Sequence, residues 1–242
     1  MTMWNPQMTG RVQPLDDGTE ASQGVVVRFF NAVYAWMAVG LAMTGVVGWL
    51  VYTHPAAMSS VMTRGASLGI FIGELVLVLV ISSAIRAINA TIATVLFLAF
   101  AALNGLMLSV IFFVYTLPSI AATFAACAAM FAAMSVYGMV TKTDLSTLGK
   151  ILFMALIGLI VASIVNIFVS SSVLYWIVSY AGVIIFAGLT AYDTQRLRQM
   201  ALSIGGDGAL AARMSIVGAL TLYLDFINMF LFLLRFMGNR KQ

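Results

Sequence analysis

Two aspartates stand in long apolar stretches of a 242-residue chain that is only 8% charged. Asp193 closes the run Ile184-Ile185-Phe186-Ala187-Gly188-Leu189-Thr190-Ala191-Tyr192-Asp193, and Asp225 lies inside Leu220-Thr221-Leu222-Tyr223-Leu224-Asp225-Phe226-Ile227. A carboxylate at membrane depth is costly unless water, a counter-ion or a proton compensates it. Two that meet in a low dielectric cannot both hold full charge, so they share a proton and become a pH sensor or a proton relay. Their oxygens are also hard ligands for Ca²⁺. That ion takes about six to eight oxygens, so two carboxylates with Asn228 or backbone carbonyls form a weak site, suited to passage. Aspartates sharing a proton can also hydrolyse peptides.

The protease chemistry fails on its motif. Tyr192-Asp193 matches the first half of the presenilin-type signature, but Leu222-Tyr223-Leu224 precedes Asp225 where Gly-x-Gly is required. No proline follows Pro118, so a Pro-Ala-Leu element is missing as well. The chain is therefore read as no enzyme. A retinal protein is excluded too, because no lysine lies within a span. A plainer role for each aspartate is to pair with an arginine and fix helix packing, Asp193 with Arg196, Arg86 or Arg213.

Positioning the pair falls to the last two of seven apolar stretches, at about 29–53, 68–86, 92–116, 119–140, 151–169, 173–198 and 209–236, each near the ~20 residues that cross a hydrocarbon core. Continuous apolar runs mean helices, since barrel strands would alternate. Gly205-Gly206-Asp207-Gly208 turns the sixth stretch into the seventh. Antiparallel helices joined there bring both carboxylates to depths within a few turns, with a surface stretch at 209–213 closing the remaining gap. Thr221 and Asn228 share the Asp225 face. Gly182, Ala187, Gly188 and Ala191 let other backbones approach the sixth helix closely. Glu74 lies well inside the second stretch, and Arg86 ends it about 18 Å further along the axis.

The chain is 62% hydrophobic with mean hydropathy +1.06, more than a water-soluble fold of this size can hide. The fold class is an all-α membrane protein, a seven-transmembrane-helix bundle in one domain. Residues 1–28 form a polar, mobile N-terminal tail, 29–236 the transmembrane domain and 237–242 a short basic C-terminal tail. The lone Cys127 and lone His54 offer no disulfide and no transition-metal site, and no basic cluster suggests nucleic acid. Asp144 has capping potential for the fifth helix. The N-terminal side holds Arg11, Arg28, Arg86, Lys142, Lys150, Arg196, Arg198 and Arg213, against Arg64, Arg235, Arg240 and Lys241 opposite, a ratio of 8 to 4. The positive-inside rule then places the N-terminus in the cytoplasm. The basic C-terminus falls outside unless the last segment is re-entrant.

Tyr192-Asp193, the string Leu222-Tyr223-Leu224-Asp225-Phe226-Ile227-Asn228-Met229-Phe230 and the following Leu233-Leu234-Arg235-Phe236 resemble the Bax inhibitor-1 family of transmembrane proteins. Lys142-Thr143-Asp144-Leu145-Ser146 resembles its loop between helices four and five. The resemblance spans nearly the whole membrane portion, and the short tail and compact loops look like a bacterial member, in an inner membrane. It implies seven helices around a central sixth and a calcium leak controlled by pH. Asp193 and Asp225 would be the pH-sensing pair, Arg86 their partner in the closed state, and Glu74 the glutamate earlier on the same helix.

The expected function is a gated leak with Ca²⁺ as the transported ion and no cofactor. Glu74 and Asn228 are further candidates for the ion path. Its partners are the lipid bilayer, Ca²⁺ and protons. Two other readings stand beside it. One is a Ca²⁺/H⁺ exchanger using the same pair. The other is a regulator that binds other membrane proteins in protease or cell-death control, with Asp16, Asp17 and Glu20 of the tail as a docking element.

Overall fold

The structure is a computed structural model that describes residues 17–84, 88–204 and 207–241, with side chains at 23–83, 88–204 and 207–241. The described helices are α1 (Asp17–Thr53), α2 (Pro55–Val61), α3 (Arg64–Ala84), α4 (Ala90–Leu108), α5 (Ile111–Val114), α6 (Leu117–Val140), α7 (Ser146–Val169), α8 (Ser172–Ile204) and α9 (Gly208–Met237). Among the described residues, seven stretches are long and apolar enough to cross a membrane: Gln23–Thr53, Arg64–Ser83, Ala90–Val114, Leu117–Val140, Ser146–Val169, Ser172–Ile204 and Gly208–Met237. These match the seven expected, with α4 and α5 together forming the third. One boundary is corrected. α1 begins at Asp17, so residues 17–28, assigned to a mobile tail because they are polar, are helical. Residues 1–16 lie outside the described part.

Local signals set the helix ends. Asn89 Oδ1 accepts from Ile92 N at 2.8 Å to cap α4, and Asp207 Oδ1 accepts from Leu210 N at 2.9 Å to cap α9. Each satisfies a donor that the first helical turn leaves over. Before α7, Ser146 donates twice to Asp144, from its backbone N–H to Oδ1 and from its hydroxyl to Oδ2, both at 2.9 Å. The backbone bond, then the hydroxyl bond, hold the exposed Asp144 carboxyl below its ordinary value of 3.8. A lowered folded value means stability that is complete above 3.8 and is lost as pH falls from there through the lowered folded value. Asp144→Ala is expected to lower the melting temperature more at pH 7 than at pH 3. Equal losses at both values would separate the turn from the carboxyl's charge.

Ser170 ends α7 in the left-handed region (φ 51°, ψ 36°). Asn166 Oδ1 accepts from Ser171 N at 3.0 Å and fixes the turn. A Cβ is strained in this region while glycine is not, so Ser170→Gly should gain about 0.5–1 kcal/mol. A melt that does not rise would place the strain elsewhere.

α8 and α9 form the centre. In α9, 67% of the apolar window is buried, and in α8, 44%, against 6% for α3 and 11% for α7. The sixth span, expected at the centre, shares that place with the seventh, while α3 and α7 turn most of their surface to lipid. Because lipid is as apolar as leucine, helices associate through close fit rather than hydrophobicity. Small residues supply that fit. A Cβ at Gly182 would overlap the Phe232 ring, one at Gly188 would meet Leu152, and one at Gly138 would run into the Ala191 backbone. On the α1 and α4 side, Phe97 and Phe100 pack edge-on against Tyr223, with ring centroids 5.9 and 5.8 Å apart.

The end of the bundle that carries the start of α1 is called the near side, and the other the far side. α9 is one continuous helix that reaches the far side. There the basic tail pairs with the segment before α6, Asn239 O accepting from Thr116 N and Val114 O from Lys241 N, both at 2.9 Å. A re-entrant last segment is thereby excluded.

Candidate functional site

α8 and α9 pack against each other and run antiparallel. In any helix the Cα–Cβ bond leans toward the N-terminus. α8 starts on the far side and α9 on the near side, so Asp193 and Asp225 lean toward each other. That lean narrows the offset in depth, and residues 209–213 belong to α9 itself. The two carboxyls lie within hydrogen-bonding reach and are 9% and 5% exposed. With both ionised, Asp225 Oδ2 is buried without a donor. A proton held between the carboxyls relieves that debt and the repulsion together.

The pair forms part of the wall of a cavity of about 1010 Å³ between α7, α8 and α9. Thr221 and Asn228 line it beside Asp225, as their shared helix face predicts. Asn228 donates its amide to Leu224 O at 2.8 Å, which leaves its side-chain oxygen for a ligand. Thr221 donates to Val217 O at 3.0 Å, which leaves its oxygen free to accept. Lys150 and Arg196 line the same cavity, and Arg196 acts electrostatically on Asp193 from one turn further along α8. The rest of the wall is apolar, including Phe153, Leu159, Ile164 and Phe186.

The site wall is held from behind by polar contacts that sequence reasoning missed. Gln195 Oε1 accepts from Leu145 N and its Nε2 donates to Thr143 O, both at 2.8 Å. The loop between α6 and α7 is thus clamped to α8 two residues from Asp193. Ser135 of α6 bonds the Thr194 hydroxyl at 3.0 Å and the Tyr34 hydroxyl at 2.5 Å, tying α1, α6 and α8 at one level. The only sequence signal for the clamp was a polar Thr194-Gln195 step straight after Asp193.

Glu74 is not brought to the pair. α3 packs on α4, and Glu74 lies within electrostatic range of Tyr223. Tyr223 points away from Asp225, since two helical steps turn ~200°. The Tyr223 hydroxyl bonds Thr44 Oγ1 at 2.7 Å. Glu74 Oε1 and Asn104 Oδ1 are both buried without hydrogen-bond partners, and Glu74 stands on the Tyr223 side of α9, away from the pair. Arg86, expected as the gating partner, lies outside the described residues. Among the described residues no group of three His, Cys, Asp or Glu could hold a metal ion.

A bundle of seven described spans with a buried acidic pair lining a cleft between α7, α8 and α9 defines a polytopic helical membrane protein built around a titratable site. The model of the family described as inhibitor of apoptosis-promoting Bax1 matches residues 26–242. The inner membrane protein YbhL of Escherichia coli (strain K12) is 48% identical over 230 residues, covering 94% of this chain and 98% of that protein. A Deinococcus radiodurans protein is 46% identical over 217 residues, covering 89% of this chain and 92% of its own length. One from Borreliella burgdorferi is 40% identical over 229 residues, with 93% and 99% covered. The chain belongs to the Bax inhibitor-1 family.

Proposed function

We propose that the protein is a pH-sensitive calcium-leak channel of a bacterial inner membrane, gated by the Asp193–Asp225 pair, with its N-terminus in the cytoplasm. The observation that carries this reading is two buried carboxyls in mutual reach on the wall of a large cavity between α7, α8 and α9 that opens along the outer face of α7. The kinship with an inner membrane protein supports the location, and the 8 to 4 excess of Lys and Arg supports the orientation.

Ca²⁺ is cargo here, with no resident site. Two carboxylates, the Asn228 carbonyl and the Thr221 hydroxyl supply fewer oxygens than a tightly held Ca²⁺ needs. The ion would therefore bind weakly and move on. Deprotonating the pair favours a passing cation and strengthens the attraction to nearby guanidinium groups. Arg196 is the described cation acting on it, and Arg86 is the gating partner that the family resemblance suggests. A proton shifts the closed-to-open balance only through its differential affinity for the two states.

The test is Ca²⁺ flux into liposomes carrying the purified protein, at several pH values. Flux above that of empty liposomes, varying with pH, is the expected result. No flux at any pH would overturn the channel reading.

A further inference from the structure

The far-side segments 54–67, 109–118, 169–173 and 235–242 contain Arg64, Arg235, Arg240 and Lys241 but no aspartate or glutamate. Lys241 is engaged locally: its ammonium donates to Phe112 O at 2.7 Å and to the Tyr52 hydroxyl at 3.2 Å, over the Tyr52 ring. Arg64 stands apart at the exposed start of α3. Arg235 and Arg240 are placed differently. Both line one cavity of about 560 Å³, where the ends of α7, α8 and α9 meet, together with Asn166, Ser171, Tyr175 and Trp176.

Both guanidiniums are held in place by neutral groups. Arg235 lies 4.7 Å from the Phe232 ring centroid and 5.8 Å from that of Tyr175. Arg240 donates to the Tyr175 hydroxyl at 3.4 Å. Two oriented guanidiniums without an acidic side chain in these segments make a strong site for a phosphate, which they match fork to fork. The turn offers further donors. Asn166 spends its oxygen on Ser171 N, which leaves its NH₂ free. The Ser171 oxygen accepts from Leu174 N at 3.3 Å, which leaves its proton free.

The surroundings say what carries the phosphate. Ile167, Phe168 and Val173 beside the cavity are 74%, 82% and 67% exposed at the ends of membrane-spanning helices, so acyl chains must cover them. Trp176 stacks with Tyr180, and Tyr180 contacts Phe236, at centroid distances of 6.0 and 5.1 Å. Aromatic rings of this kind sit at headgroup level. We propose that this cavity binds the phosphate of a phospholipid headgroup, with Arg235 and Arg240 as its charge partners and the lipid chains lying along α7 and α8. The bound lipid ties the turn between α7 and α8 to the end of α9.

Delipidated protein in a nonionic detergent can be titrated with dioctanoyl-phosphatidylglycerol, dioctanoylglycerol and inorganic phosphate, following tryptophan fluorescence. Trp176→Phe identifies the part of the signal that arises at the cavity. The expected result is saturable binding of the phospholipid, weakened at least tenfold in Arg235→Gln/Arg240→Gln and unchanged in Arg64→Gln. Should the double variant fail to fold, the exposed Arg240→Gln alone is expected to weaken binding at least threefold. Equal binding of dioctanoylglycerol, or an equal loss in Arg64→Gln, would overturn the site. Inorganic phosphate binding as tightly as the phospholipid would overturn its assignment to lipid.

Discussion

Asp225→Asn is expected to yield a protein whose Ca²⁺ flux no longer responds to pH. Asparagine keeps the size of the side chain and can still hydrogen-bond to Asp193, so the packing of α9 is preserved. It cannot share a titrating proton, and it donates permanently from its NH₂. A two-state gate coupled to one proton changes its population by at most about tenfold per pH unit, the equivalent of ~1.4 kcal/mol. Wild type should approach that slope in the steep part of its response, and the variant should fall close to zero. Asp193→Asn should behave alike, and the double variant no worse than either, because members of one unit are not additive. A wild-type slope in Asp225→Asn would refute the pair as the gate, whatever the absolute flux.

The sequence made the depth of each group legible but not its direction. Spans follow from apolar length, and the aspartates stand out because ionisable residues are so costly there. Glu74 shows the limit. Its position along the second span is plain in the sequence, and nothing local reveals that α3 packs on α4 and brings Glu74 near Tyr223 rather than Asp225. Tyr223 and Asp225 are two residues apart in one string yet serve opposite faces of α9. Reading that string as a single functional patch would merge two different faces of α9.

Gln195 and the C-terminal tail fail for a related reason. The clamp of Gln195 on Thr143 and Leu145, like the pairing of Lys241 with Val114, joins segments far apart in the chain. No periodicity or composition encodes such contacts. Residues 17–28 err in the other direction. Their polarity suggests a tail, but a helix that projects past the hydrocarbon core can satisfy its backbone as well in water as in lipid.

Gly138→Ala is expected to destabilise the bundle by about 1–3 kcal/mol, the range for overpacking a tight contact, and to disturb the gate as well. The added methyl would run into the carbonyl of Ala191. A backbone carbonyl, unlike the end of a flexible side chain, moves only if α8 moves away from α6. The better helix propensity of alanine offsets at most about 1 kcal/mol of the cost. Gly158 is the control, on the lipid-facing α7, where an added methyl would meet open space. There the same change should be neutral or slightly stabilising. Melting in detergent should therefore separate two chemically identical substitutions, with a clear fall only for Gly138→Ala. Because Ala191 precedes Asp193 by two residues, the displaced α8 also shifts one carboxyl against the other, and the pH response of the flux should flatten in step. A Gly138→Ala protein that melts like wild type would mean that α6 and α8 are not in the close contact that holds Asp193 in place.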